Sequence, residues 1–432
     1  MMKKAFARIL RSAAIPATLA AVSLFAISAS AQPNPCDPHS YGAKADGKNK
    51  DTVAIQLAID ACAKQGGGTV LLSGGTFLSA PIVLRSNINL HIDKGATLLG
   101  SPDHADYPAK TEFRNPGLQS LISATNAENV SITGDGTIDG NGETWWEMAR
   151  KTKGSSILGS DHPRPRGIVF DHSKHILMEG VTVQNSPFWQ IVPYYSDGIT
   201  IRNIRVLAPQ HAPNTDGIDP FSSSNVLIEH VYEDVGDDDI AIKSGAINSP
   251  GPDAPSKNII IRDCTFDHGH GVSVGSEMAG GAQNILVERI HMKGTDNGVR
   301  VKANRDRGND MGNMVFRDID MVDVKDAIII SEYYPHLLPE AGEKAQPVQR
   351  LTPHFHDITV ENVKATGSKL AGVIVGLPES PALNIVLKNV SISAEKGLTI
   401  GDATVTLDHV NIQVQQGEAI TVAPSAKVTT IK

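Results

Sequence analysis

A loose motif, Asn-apolar-x-apolar-x-x-apolar, recurs along the chain and limits its possible folds more than any other feature. It reads NVSITGDGT at 129, HILMEGVTV at 175, GITIRNIRV at 198, NVLIEHVYE at 225 and NIIIRDCTF at 258. It continues as NILVERIHM at 284, NMVFRDIDM at 313, DITVENVKA at 357, NIVLKNVSI at 384 and TVTLDHVNI at 404. From 175 onward the copies stand 23, 27, 33, 26, 29, 44, 27 and 20 residues apart. Short Val/Ile-rich strands at such a period, with Gly and Asn between them, indicate a solenoid. Helical segments between strands are missing, which argues against βαβ units, and a propeller needs longer repeats with several hairpins each. The pattern predicts an all-β chain, a right-handed parallel β-helix with coils stacked about 4.8 Å apart.

One segment breaks the strand pattern. In DTVAIQLAIDACAKQGGG, 51–68, Ile55, Ala58, Ile59 and Cys62 fall on one helical stripe, which Ala54, Leu57 and Ala61 widen. Asp51 or Thr52 can cap its start and the glycines stop it. A solenoid needs its open end covered, so this helix is expected to be the N-terminal cap. The same helix carries Cys62, and an oxidising compartment would let it pair with Cys36; Cys264 is expected to be a buried thiol.

Upstream, Lys3, Lys4, Arg8 and Arg11 precede an apolar run from Ala13 to about Ile27, and Ala29-Ser30-Ala31 offers small residues before Gln32. This reads as a cleaved export signal, 1–31, ahead of a single domain, 32–432. The expectation is a secreted protein, periplasmic or extracellular, with no membrane span. Cleavage would take the net charge from −8 to −12, which excludes general nucleic-acid binding. Any polyanionic partner would need a local basic patch. A monomer is expected, and no metal or organic cofactor signal is found, CxxC spacing included.

Three consecutive aspartates, Asp237, Asp238 and Asp239, precede the apolar pair Ile240 and Ile242. That pair aligns with Val272 and Val274, Val299 and Val301, and Ile328 and Ile330; Ile218 takes the first place in the preceding coil. Two residues before it stand Asp216, Asp238, His270 and Asn297, one per coil, so stacking would form a column with Asp237 beside it. Glycines 217, 271 and 298 allow the bend that turns this column out of the core. Side chains alternate across a strand, which sends Arg300 and Lys302 together to the solvent side. Crowded carboxylates cannot all ionise, so one pKa should rise. A protonated acid opposite ionised carboxylates is the equipment of an inverting glycosidase, and Arg300 with Lys302 suits a uronate carboxylate.

NTDGID at 214–219, GDD at 236–238, GHG at 269–271 and RVK at 300–302 occur in the order found in polygalacturonases, glycoside hydrolase family 28, and GDGTIDGNGETWWE at 134–147 is also similar. The resemblance runs from about Tyr41 to Tyr334. It implies inverting hydrolysis of α-1,4-galacturonan in pectin, endo or exo undecided. Asp237 would then be the general acid, Asp216 and Asp238 the pair that holds and deprotonates water, and His270 the support of the acid. Arg300 and Lys302 would bind a galacturonate carboxylate on the non-reducing side of the cleaved bond. Tyr334 would contact substrate, with Tyr333 as its substitute. Asp239 departs from the family pattern and would add a third charge near the acid. The alternatives are a rhamnogalacturonan or xylogalacturonan hydrolase, a calcium-dependent pectate lyase on the same fold, and a non-enzymatic glycan-binding β-helix. Segments 149–165 and 336–355 are the candidates for closing one end of the groove.

Overall fold

The computed structural model describes residues 36–152 and 161–431; the expected export signal lies outside them. Almost every strand pairs in parallel with the strand one coil away, and the pairing runs unbroken from Asp46 to Ile431. The motif copies stack as expected: Val226 faces Ile259, Ile259 faces Ile285, and Ile285 faces Met314. Alternation sends one side of each strand into a single apolar core, in which Ile228, Ile261, Val287 and Phe316 are fully buried. Among the described residues no helix is long and apolar enough to cross a membrane.

The cap forms as α1, Thr52–Lys64, which buries Ala54, Ile55, Ala58, Ile59 and Cys62. Leu57 lies outside this stripe and is exposed. Asp51 makes no side-chain capping bond to α1. Its carboxylate instead accepts from the Lys44 and Ala45 amides at 2.7 and 3.0 Å, fastening the incoming chain. A disulfide joins Cys36 to Cys62, and Cys264 is a buried free thiol. A second helix, α2, Glu143–Lys151, was not anticipated; it buries Trp145 and Trp146.

One sheet carries the chemistry. Its strands β1 (Ile191–Tyr194), β2 (Ile240–Ile242), β3 (Val272–Val274), β4 (Asn297–Lys302) and β5 (Asp326–Ser331) lie on successive coils, with the 218–221 segment between β1 and β2. The register is the expected one: Ile218 against Ile240, Ile240 against Val272, Val272 against Val299 and Val299 against Ile328. It brings Asp216, Asp238, His270 and Asn297 to the same edge of the sheet.

Candidate active site

Asp216, Asp237 and Asp238 line one cavity of about 580 Å³ together with Lys302, Tyr334 and four residues not singled out in the sequence: Asn214, Lys243, Glu277 and Arg307. His270 reaches the acids from the next coil, its Nδ1 3.1 Å from Asp237 Oδ1 and 3.7 Å from Asp238 Oδ1. Asn214 donates its side-chain amide to Asp237 Oδ2 at 3.2 Å, and Arg164 donates to Asn214 Oδ1 at 2.7 Å. The bend before each strand is sterically enforced. A Cβ on Gly217 would collide with the Glu233 carboxylate and the Asp239 carbonyl, while Gly271 sits at φ +69°.

Lys302 and Arg300 do point away from the solenoid interior, but they are not a solvated face. The Lys302 side chain is 6% exposed and its Nζ lies 2.8 Å from Asp238 Oδ2. Arg300 is 14% exposed and stands 3.3 Å from Asp238 Oδ1. Ser273 donates to the same oxygen at 2.9 Å. Loops on both edges rise above the sheet, so an outward side chain here lies on the floor of a cavity. Tyr334 presents its ring to Lys302, Arg307 and Arg300, 5.3 to 5.8 Å from centroid to cation. Tyr333 turns instead into an apolar cluster with Ile329 and Leu377.

Crowding does raise one carboxyl of the expected trio, and it is Asp216 rather than Asp237. Burial pushes Asp216 well above the usual carboxylate range, and Asp237 and Asp219 add to this against the opposing Lys243 charge. Burial also pushes Asp237 upward, but the His270 hydrogen bond and the charges of His270 and Lys302 outweigh it, leaving it below the ordinary value. His270 moves the opposite way: burial lowers it, but its bond to Asp237 and the charges of Asp237 and Asp238 outweigh this and raise it. Asp238 is buried too, yet Lys302 and Arg300 hold it ionised. Asp239 turns inward and accepts from the Gly271 amide at 2.8 Å, and burial beside Asp238 pushes its carboxyl well above the usual range.

Behind the trio lie Asp219 and Glu233, both fully buried and without hydrogen-bond partners among the described residues. Burial raises Asp219 to about 8 and Glu233 well above its usual value. Lys243 stands 3.4 Å from Asp216 Oδ2 and 3.6 Å from Glu277 Oε2, with its ammonium 4.8 Å from the Trp189 ring centroid. Those carboxylates keep it charged against the burial that would neutralise it. The alternation that turns Arg300 and Lys302 outward applies equally to Ala241 and Lys243, so Lys243 was legible by the same rule. Glu277 and Arg307 stand on turns between strands, where no period reaches.

Besides the Asp219 and Glu233 oxygens, Arg300 Nε and Asp216 Oδ1 are buried without a hydrogen-bond partner among the described residues. Buried polar groups are rarely left unpaired, so an unpaired acceptor on cavity-lining Asp216 and an unpaired donor on neighbouring Arg300 mark the ligand's place.

Comparisons with known proteins agree with this geometry. The model of glycosyl hydrolases family 28 matches residues 62–418. A probable polygalacturonase of Vitis vinifera is 32% identical over 379 residues, covering 83% of this chain and 75% of its own. An endo-polygalacturonase of Pectobacterium carotovorum is 31% identical over 412 residues, 90% of this chain and 96% of its own. The crystal structure of an exopolygalacturonase from Thermotoga maritima superposes with a TM-score of 0.77 at 29% identity, covering 90% of this chain and 94% of its own. With its coils, its acids and its relatives in agreement, this chain belongs to glycosyl hydrolases family 28.

Proposed function

We propose that the chain is a polygalacturonase that hydrolyses α-1,4-linked galacturonic acid in pectin with inversion at the anomeric carbon. The observation that carries this reading is one cavity lined by three aspartates and by the buried cations Lys302 and Lys243, with Arg300 Nε unpaired beside it. A uronate carboxylate is the partner such cations accept.

Asp237 is the general acid. His270, 3.1 Å away, and Lys302 hold Asp237 down in the unliganded site, and a uronate that neutralises Lys302 removes one of those charges and raises the proton affinity of the acid. Asp238, tied to Lys302 and Arg300, positions the attacking water. Asp216 takes the water's proton, since a base works best when its proton affinity is high for a carboxylate. His270 is a positioning residue, acting through Asp237. Arg300, Lys302 and Tyr334 bind substrate.

The cations also weigh against calcium-dependent elimination. Lys243 and Lys302 already neutralise the carboxylates that a divalent ion would need. Product absorbance in the ultraviolet separates the two reactions: elimination leaves an unsaturated sugar, hydrolysis only a new reducing end. Proton NMR of the first product tests the stereochemistry, because initial release of the α-anomer contradicts inversion. Export after cleavage near Ala31 is part of the proposal, supported by the Cys36–Cys62 bond, which suits an oxidising compartment.

A further inference from the structure

The outer face of the catalytic sheet changes character abruptly along the solenoid axis. Register assigns each coil its outward side chains: Val192 and Tyr194, then Asp219 and Phe221, Ala241 and Lys243, Ser273, Arg300 and Lys302, and finally Ile329 and Ser331. At β2 and β3 the outward residues Ala241 and Ser273 are small and fully buried, and the cavity over these coils is lined by Asp238, Lys243 and Lys302. On either side the sheet is covered.

Toward the N-terminal coils the cover is an antiparallel hairpin, Ala109–Glu112 paired with Asn115–Leu118. It belongs to no coil. The Phe113 ring at its tip packs 4.3 Å from that of Tyr194 and 5.6 Å from that of Phe221, centroid to centroid. The tip is tied to the far edge of the sheet. Arg114 donates to the Tyr195 hydroxyl at 3.0 Å, to Pro252 O at 3.2 Å and to Asp253 Oδ1 at 3.2 Å. Asp253 is shared with Arg350 at 3.6 Å, which bridges to the loop after β5. The base is anchored by a buried ion pair, Glu112 with Arg166 at 3.1 Å, and the Arg166 guanidinium lies against Phe113 and Trp189.

Phe113 and Arg114 both hold positive φ, +49° and +64°, where such turns prefer Asn-Gly. Side chains in that region cost free energy, so the turn persists because its contacts over-determine it. Toward the C-terminal coils Leu337 covers Ile329 and Val375, and its carbonyl accepts from Ser331 at 2.9 Å. Between the covers about three coils remain open, roughly 14 Å at the spacing of neighbouring strands. Asn115, on the hairpin, lines the same cavity as Asp216 and Asp237.

We infer that the 109–118 hairpin is a specificity element that dams the groove beside the acids, so that the enzyme takes a chain end and releases short products. This rests on the reading of the site as a galacturonan hydrolase. A polymer threaded along the sheet would have to pass through Phe113 on one side and Leu337 on the other. A terminus needs only one opening. The hairpin covers the coil of Asp216 itself, so the bond cleaved lies close to the blocked end.

The test follows viscosity, reducing ends and product sizes together, with the mature protein acting on polygalacturonate. The expected result is release of monomer or short oligomers from the earliest times, with viscosity falling late. Replacing Phe113-Arg114 by Ala-Gly should raise viscosity loss per reducing end severalfold and broaden the product ladder. Arg114→Gln, at an exposed side chain that only ties the tip, should move the same ratio in the same direction by less, and serves if the double variant does not fold. An early viscosity drop with a broad ladder from the parent overturns the inference while leaving hydrolysis intact. Folded variants that keep the parent's product pattern overturn the role of the hairpin. Absence of any new reducing ends sinks the hydrolase reading on which the inference rests.

Discussion

Two columns in this molecule arise from the same repeat and have opposite fates. On the surface, Asn258 donates its amide to the Asn225 side chain at 3.0 Å, and Asn284 donates to Asn258 at 3.1 Å. Each asparagine carries both a donor and an acceptor, so the ladder satisfies itself, and φ near +57° places each one at the turn. At the catalytic edge, Asp216, Asp238 and His270 stack with the same regularity. Aspartates offer only acceptors when ionised, so this column cannot satisfy itself. It borrows protons and cations from Lys302, Lys243 and His270. The neutral column is structural and complete, whereas the charged one is left with an unpaired Asp216 oxygen that calls for a ligand.

The largest effect should come from removing the acid. Asp237→Asn keeps the shape of the charged column and should lower turnover by roughly 10²–10⁴ with its fold intact, as judged by circular dichroism. Activity close to the parent's would take the acid role away from Asp237. Lys302→Met strips the cation from the buried Asp238 carboxylate. Breaking a buried pair by one partner costs about 3–5 kcal/mol, so thermal stability should fall along with activity. An unchanged melting temperature would mean that Arg300 and Ser273 satisfy Asp238 without it.

Breaking the neutral column should matter less. Asn258→Ala loses two amide bonds and leaves alanine at positive φ, for about 1–2 kcal/mol, with kcat and KM unchanged. The smallest effect is one of slope. Burial raises Glu233 above its unfolded value, so the unfolded chain ionises first as pH rises. The protein is therefore most favoured below the ordinary Glu range and loses stability toward neutral and alkaline pH. Glu233→Gln should flatten the fall in melting temperature between pH 5 and pH 8. An unchanged slope would show that the interior carboxyls are not held neutral.

Much of the fold was legible because it rests on short-range periodicity. The spacing of Ile240, Val272 and Val299 sets the coil, and the coil by itself aligns Asp216, Asp238 and His270. The motif residues came with it, since each sits at a set offset from an inward apolar pair. What did not come were the protonation states. The sequence places Asp237 in a crowd, but only distance decides that His270 holds Asp237 down while burial beside Asp237 and Asp219 raises the proton affinity of Asp216. The exposure of Lys302 failed for a related reason: alternation says which way a side chain points, not how high the surrounding loops stand.

The chain's own order of residues thus determined the solenoid, its cap, the Cys36–Cys62 candidate and the catalytic edge. All follow from local spacing repeated many times, and errors of one residue would have flipped a strand. Tertiary structure alone decided what the groove admits. Of the segments expected to close it, the 336–355 loop does contribute Leu337, and 153–160 lies outside the described residues. The principal dam, Ala109–Leu118, carries no repeat and no motif. It blocks the groove because Arg166, Tyr195 and Asp253, distant in sequence, hold Glu112 and Arg114 in place. Periodicity records contacts between neighbouring coils, and a hairpin that leaves the coil and lands on Tyr194 and Phe221 writes nothing into it.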